Sequence, residues 1–177
     1  MIKKIKKIEN NNEVILALDI ASHKTGYAIY KNGKIAQHGT WQLSEDVELV
    51  TKVNAIVVKN KVTDIVAEDI FHSKEIKLET AYRVLCECRG IVKAVAKMNN
   101  IQISFINPLM VKKRIWNYGY HNSTLSRQEQ KQRMINRITK SYGYSLENSK
   151  ADDEADAIGI LIVFLEKYDL PVVHPHQ

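Results

Sequence analysis

Apolar and polar positions follow two rhythms along the chain, one of period 2 and one of period 3.6, and the switches between them mark out the elements. Residues 14–20 form a nearly unbroken apolar run with Asp19 near its end, the pattern of a strand covered on both faces. Residues 25–30 and 34–43 predict two more strands, with Asn32-Gly33 between them as a tight hairpin turn. Three strands joined this closely make an antiparallel meander. Ser44 is placed to cap a helix whose apolar stripe is Val47, Val50, Val53, Ile56 and Val57. Residues 64–70 predict a fourth buried strand that runs into Glu68-Asp69.

A long helix follows, from about Lys77 to Met98, with Leu78, Tyr82, Leu85, Val92 and Val95 on its apolar face. Residues 101–106 predict a fifth strand, and Pro108 opens a short helix to about Trp116. Residues 117–125 read as a loop. Ser126-x-x-Glu129 is a capping box that starts a further helix to about Tyr142. The last helix is predicted from near Ser149 to Tyr168, with an unstructured tail after Pro171. Three antiparallel strands, then helix–strand alternation, then closing helices predict an α/β fold with a mixed five-stranded sheet flanked by helices. The expected organisation is a flexible basic arm over residues 1–13, one domain over 14–168 and a tail over 169–177, with no repeat and no internal linker.

Length and composition narrow the classes. A chain of 177 residues suits a single domain. No stretch approaches the ~20 apolar residues that cross a bilayer. The opening MIKKIKKIENNNE has charge without an apolar run behind it, so no secretory signal is read and a cytoplasmic protein is expected. Cys86 and Cys88 diverge by about 200° on a helix, so reduced thiols are expected rather than a disulfide or a zinc site. The 26 Lys and Arg against 20 Asp and Glu give a net charge of +6, compatible with a polyanionic partner.

Carboxylates then change the picture. Asp19 ends the first strand, Glu68 and Asp69 end the fourth, and Asp152, Asp153 and Asp156 lie in the first turns of the last helix. Singly, each has a plain explanation as a turn cap or as a complement to the helix dipole. Together they do not, because Ile160 and Val163 carry the Asp153–Asp156 face inward, and no Lys or Arg lies on it at positions 159 or 160. A bound divalent cation compensates such a cluster, and an oxygen-only donor set selects magnesium or manganese over zinc. Phosphodiester hydrolysis uses two metals about 4 Å apart for this purpose. Spacing leaves Asp152 and Asp153 both open as partners of Asp156, while Asp69 points to the other side of its strand end from Glu68.

The same residues resemble a known family. LALDIASHKTGYAIYKNGKI looks like the opening strands of the RuvC-type Holliday-junction resolvases, with Asp19, Ser22, Thr25 and Gly26 in matching places. IVAEDIF resembles their second acidic motif, with Glu68 as the acid and Phe71 three residues on. ADDEADAIGI resembles their closing motif, which selects Asp153 and Asp156. The likeness runs from about Val14 to Leu165, and it departs at Ile20-Ala21, where cellular members carry Pro-Gly; a divergent, phage-borne branch fits this. The resemblance implies an RNase H-like fold and a homodimer that makes paired nicks in four-way DNA junctions, leaving 5′-phosphate and 3′-hydroxyl ends. It further implies two Mg2+ ions per active site, with Mn2+ as a substitute, held by Asp19, Glu68, Asp153 and Asp156. Phe71 would stack on a base at the junction centre, or serve as a core aromatic.

Basic residues gather in the second half. Lys112, Lys113 and Arg114 precede a helix bearing Arg127, Lys131, Arg133, Arg137 and Lys140, with Trp116, Tyr118 and Tyr120 close by. Basic side chains among aromatics suit phosphate contact with base stacking; the plainer reading is a solvated helix face beside core aromatics. Leu78, Tyr82, Leu85 and Arg89 offer either a dimer face or packing on the sheet. His23, Lys24 and His72 lie near the acids, where a His could assist proton transfer or contact phosphate, and His174 and His176 read as inert. Other readings are a nuclease for RNA–DNA hybrid or forked DNA, and a non-catalytic branched-DNA-binding module. An actin-like sugar kinase needs two domains, which this length does not hold.

Overall fold

The computed structural model describes residues 13–70, 79–116, 125–146 and 151–175. The basic arm up to residue 12, Phe71, His72, Leu78, Tyr118, Tyr120 and His176 therefore lie outside the described residues.

Five strands form one sheet in the order β3-β2-β1-β4-β5. β1 (Val14–Asp19), β2 (Lys24–Lys31) and β3 (Lys34–Gln42) are the antiparallel meander, and β4 (Asp64–Glu68) and β5 (Gln102–Ile106) add on in parallel. The turn between β2 and β3 has positive φ at both Asn32 (54°) and Gly33 (77°), which is why Asn-Gly closes it. Helices α1 (Asp46–Asn60) and α2 (Glu79–Met98) cover one face of the sheet. The other face carries α3 (Pro108–Trp116), α4 (Arg127–Lys140) and α5 (Asp152–Lys167). The mixed, helix-flanked sheet is as the sequence predicts.

Strand parity assigns each side chain to a layer. In β1, Val14, Leu16 and Leu18 enter the core with α1 and α2, while Ile15 and Ala17 enter the core with α5. In β4, Ile65 and Ala67 face α1 and α2, and Val66 faces α5. With period 2, Asp19 and Glu68 continue on the α5 side and Asp69 on the α2 side. Asp69 does meet α2 there, with its carboxylate 2.7 Å from the Arg89 guanidinium, which also lies 3.8 Å from the Phe105 ring centre.

Three expectations are corrected. α1 buries Leu49, Val53 and Val57, leaving Val47 and Val50 60% and 38% exposed. Residues 49, 53 and 57 form one row of i, i+4 neighbours against the sheet, and Val47 and Val50 fall outside it. Ser44 does not cap the helix either: its N–H and hydroxyl both donate to the Glu48 carboxylate, and Glu45 takes the N-cap position. The chain after Pro171 is ordered as far as it is described. The Pro171 carbonyl accepts from the Tyr30 hydroxyl, and Val173 bridges to Lys34 and donates to the Gly33 carbonyl. The capping box at Ser126 and Glu129 forms as predicted, and Cys86 and Cys88 are both free, the second buried. Among the described residues no helix is long and apolar enough to cross a membrane.

Candidate active site

Parallel strands β1 and β4 end side by side, and α5 begins over those ends. Strand parity brings Asp19 and Glu68 to the α5 face, and the first turns of α5 bring Asp152, Asp153 and Asp156 to meet them. All five acids line one cavity of about 290 Å³. Its remaining wall is basic and apolar: Lys112 and Trp116 from α3, and Arg127, Lys131 and Met134 from α4.

The acids burden one another. Burial raises the Asp19 carboxyl well above the ordinary range, and the charges of Asp156, Glu68, Asp153 and Asp152 raise it further. Burial, then Glu68, Asp152 and Asp153, push Asp156 up to about 7. Burial also raises Glu68, against a lowering by Lys112. The outer acids have cationic partners: Lys24 Nζ lies 2.8 Å from Asp153 Oδ2, and Lys131 pairs with Asp152. Asp152 is thus tied to α4, whereas Asp153 is tied to β2.

Two features of β2 shape the site, one at the α5 terminus and one at the loop after Asp19. Gly26, the antiparallel partner of Asp19, lies so close to α5 that a Cβ there would stand 1.8 Å from the Asp153 carbonyl oxygen. Thr25 is fully buried, and its hydroxyl donates to the Ala21 carbonyl at 3.1 Å, which closes the loop after Asp19. Ile20-Ala21 therefore makes this turn without proline or glycine. A second buried polar residue is Glu154, whose carboxylate stands 2.5 Å from His38 Nδ1 on β3.

Of the residues predicted to contact DNA, Lys112, Arg127 and Lys131 line the cavity. Lys113 is exposed and outside it. Arg114 turns to the opposite end of α5, where its guanidinium grips Glu166 at 2.6 and 2.7 Å. Sequence reasoning left Lys24 without a role and did not find Glu154 or His38. The Asp153–Lys24 and Glu154–His38 contacts span more than a hundred residues, and no local spacing signals them.

The chain is 30% identical to the crossover junction endodeoxyribonuclease RuvC of Caldicellulosiruptor saccharolyticus, over 82% of its own length and 88% of that protein's. It belongs to the RuvC family. The RuvC of Fusobacterium nucleatum is 29% identical over 80% of this chain and 69% of its own. No protein-family model matches. Among solved structures, Thermus thermophilus RuvC in complex with a Holliday junction substrate superposes with a TM-score of 0.60 at 10% identity, covering 88% of this chain and 96% of that one. The Fowlpox virus resolvase bound to Holliday junction DNA gives 0.58 at 16% identity, over 87% and 97%. At such identities the superpositions establish the shared RuvC-like RNase H fold, which the strand order displays directly.

Proposed function

We propose that this RuvC-family chain is a junction-resolving endodeoxyribonuclease that hydrolyses phosphodiesters at four-way DNA junctions with divalent cations held by Asp19, Glu68, Asp153 and Asp156. The observation that carries the reading is the convergence of these acids, from β1, β4 and α5, on one cavity rimmed by Lys112, Arg127 and Lys131.

The donor set suits a hard cation. It is all oxygen, comes from three chain segments, and holds an excess of buried negative charge that raises Asp19 and Asp156 together. Among the described residues no three acids or imidazoles already converge on one ion-sized point. Asp153 is paired with Lys24 and Asp152 with Lys131, contacts that a bound cation would compete with. Magnesium ions, two per site and replaceable by manganese, would supply the acidity that makes hydroxide from water and the charge that steadies the departing oxygen.

The chain's own residues do the rest. Asp19 and Glu68 are fixed by strand ends that cannot rotate independently, so their spacing is set before DNA arrives. The wall cations Lys112, Arg127 and Lys131 draw the phosphate towards acids that would otherwise repel it. Lys113, exposed outside the cavity, would meet the backbone there. Trp116 and Met134 exclude water from one side. Attack by water on phosphorus with departure of the 3′ oxygen leaves 5′-phosphate and 3′-hydroxyl ends. A homodimer would present two such cavities across a two-fold axis, matching a two-fold junction.

The test compares wild type with Asp19→Asn on a synthetic four-way junction, a linear duplex and an RNA–DNA hybrid, with and without Mg2+. Paired, magnesium-dependent nicking of the junction is expected, reduced at least ~100-fold in the variant while binding persists. Cleavage of the hybrid instead would discard the substrate, and binding without cleavage anywhere would discard catalysis.

A further inference from the structure

Glu154 lies between two acids of the site yet faces away from it. Its side chain is wholly buried, sharing that state among polar and charged residues only with Thr25 in the described part of the chain. Helix-dipole compensation does not require such burial, since Asp152 and Asp153 already supply negative charge to the first turn at partly exposed positions. Burying a carboxylate is costly unless it is held by a specific partner.

One such partner is built into the sheet. His38 lies opposite Ala28 in the β2–β3 ladder, and Ala28 faces α5. Its Nδ1 reaches Glu154 Oε1 at 2.5 Å. The ring is braced edge-on by Tyr144, with centroids 5.9 Å apart and planes at 83°. Tyr144 Oη is 3.0 Å from His174 Nδ1, and the neighbouring Val173 is stitched to the β2–β3 hairpin. His38 is therefore fixed from its strand, from the loop after α4 and, through Tyr144, from the docked C-terminal segment.

We propose that Glu154 and His38 are positioning residues that set the rotation of the first turn of α5, and so aim Asp153 and Asp156 at Asp19. Gly26 limits how closely that turn approaches the sheet and the buried residues from Ala155 onward pack the helix body, but a backbone contact at one peptide unit leaves the first turn some rotational freedom. The Glu154–His38 contact removes that freedom. The leverage is large: a helix turning by about 20° carries a carboxylate ~6 Å from its axis through roughly 2 Å. Ligating oxygens tolerate far less, and groups that orient metal ligands are worth about 10- to 100-fold in metal affinity.

The inference rests on the cation-site reading, so the experiment measures cation binding without DNA. Mn2+ affinity is followed by electron paramagnetic resonance on the full chain for wild type, His38→Ala, His38→Phe and His38→Asn. Junction nicking against Mg2+ concentration and thermal unfolding accompany it. Val57→Ala, in the core on the other face of the sheet, controls for general destabilisation. His38→Phe keeps the ring volume and provides a folded variant should His38→Ala not fold.

His38→Ala and His38→Phe are expected to weaken Mn2+ binding about 10- to 100-fold and to shift the Mg2+ requirement equally. Junction binding in EDTA should stay unchanged. His38→Asn, which returns a polar nitrogen near the Nδ1 position, is expected to recover most of the loss. Wild-type Mn2+ affinity in folded His38→Phe, or an equal loss in Val57→Ala, would overturn the proposal while leaving the metal site standing. A wild type that binds no Mn2+ would overturn both.

Discussion

Gly26→Ala tests the geometry of the site with a single methyl group. Gly26 is the cross-strand partner of Asp19, and the Cβ it lacks would lie 1.8 Å from the Asp153 carbonyl oxygen, 2.3 Å from its carbon and 3.0 Å from the Glu154 nitrogen. All three are backbone atoms, so no side chain can rotate away. An ordinary carbon–oxygen contact is about 3.3 Å, so β2 and the start of α5 must separate by roughly 1.5 Å. That displacement falls between Asp19 and Asp153, two of the proposed ligands. Overpacking of this kind costs about 1–3 kcal/mol of stability, and a 1 Å misplacement of reacting groups costs about 100-fold in rate. The assay is single-turnover nicking of a four-way junction at saturating Mg2+, with junction binding in EDTA and thermal unfolding alongside. Gly90→Ala on α2, where a Cβ meets nothing within 4 Å, is the control and should be neutral or gain up to about 1 kcal/mol. A folded Gly26→Ala protein that nicks within threefold of wild type would refute the claim that this contact sets the site.

The remaining predictions concern charge. Asp156 is raised from 3.8 to about 7, so the folded protein holds a proton that the unfolded chain releases; this stabilisation is complete below 3.8 and is lost as pH rises towards 7. In EDTA the melting temperature should therefore rise between pH 7.5 and 5.5, by a contribution of at most about 2 kcal/mol, and Mg2+ should flatten the dependence; a pH-independent melting temperature in EDTA would count against a shared, buried acid cluster. Lys24→Gln removes the ammonium that competes for Asp153, and the Mn2+ concentration for half-occupancy should fall several-fold; the pair is partly exposed, so about 1 kcal/mol is at stake. An unchanged half-point would show that Lys24 yields to a cation at no cost. Lys131→Gln should lower the salt slope of junction binding by about one, whereas Arg114→Gln, whose guanidinium is already committed to Glu166, should leave it nearly unaltered. Equal slopes for the two variants would mean that the cavity rim does not touch phosphate.

Much of the layout was legible in the sequence because it depends on local pattern. The hairpin at Asn32-Gly33, the capping box at Ser126 and Glu129, and the start of α3 at Pro108 are short-range signals, and each appears where the sequence puts it. Period 2 alone separates Glu68 from Asp69, and the structure sends the first to the cavity and the second to Arg89. The face of α1 was misread because two apolar rows run along it, and only the sheet's position decides between them. Long-range pairs were invisible for a related reason. Nothing near Glu154 in sequence announces His38, and nothing near Gly26 announces the carbonyl of Asp153. Chemistry carried by residue type could be read; chemistry carried by approach between distant segments could not.

The adjacent acids at the end of β4 give the site an uneven tolerance to sequence drift. A one-residue slip of β4 in one direction would bring Asp69 to the place of Glu68, so the cavity would still receive a carboxylate, one methylene shorter, while Ile70 would come to lie opposite Arg89; the reverse slip would bring Ala67 to the cavity. The same slip in β1 would offer the cavity Leu18 or Ile20 in place of Asp19. A shift of β4 in that one direction therefore leaves the cavity its acid, whereas a shift of β1 in either direction removes it. Descendants of this sequence should vary in length around the fourth strand before they vary around the first.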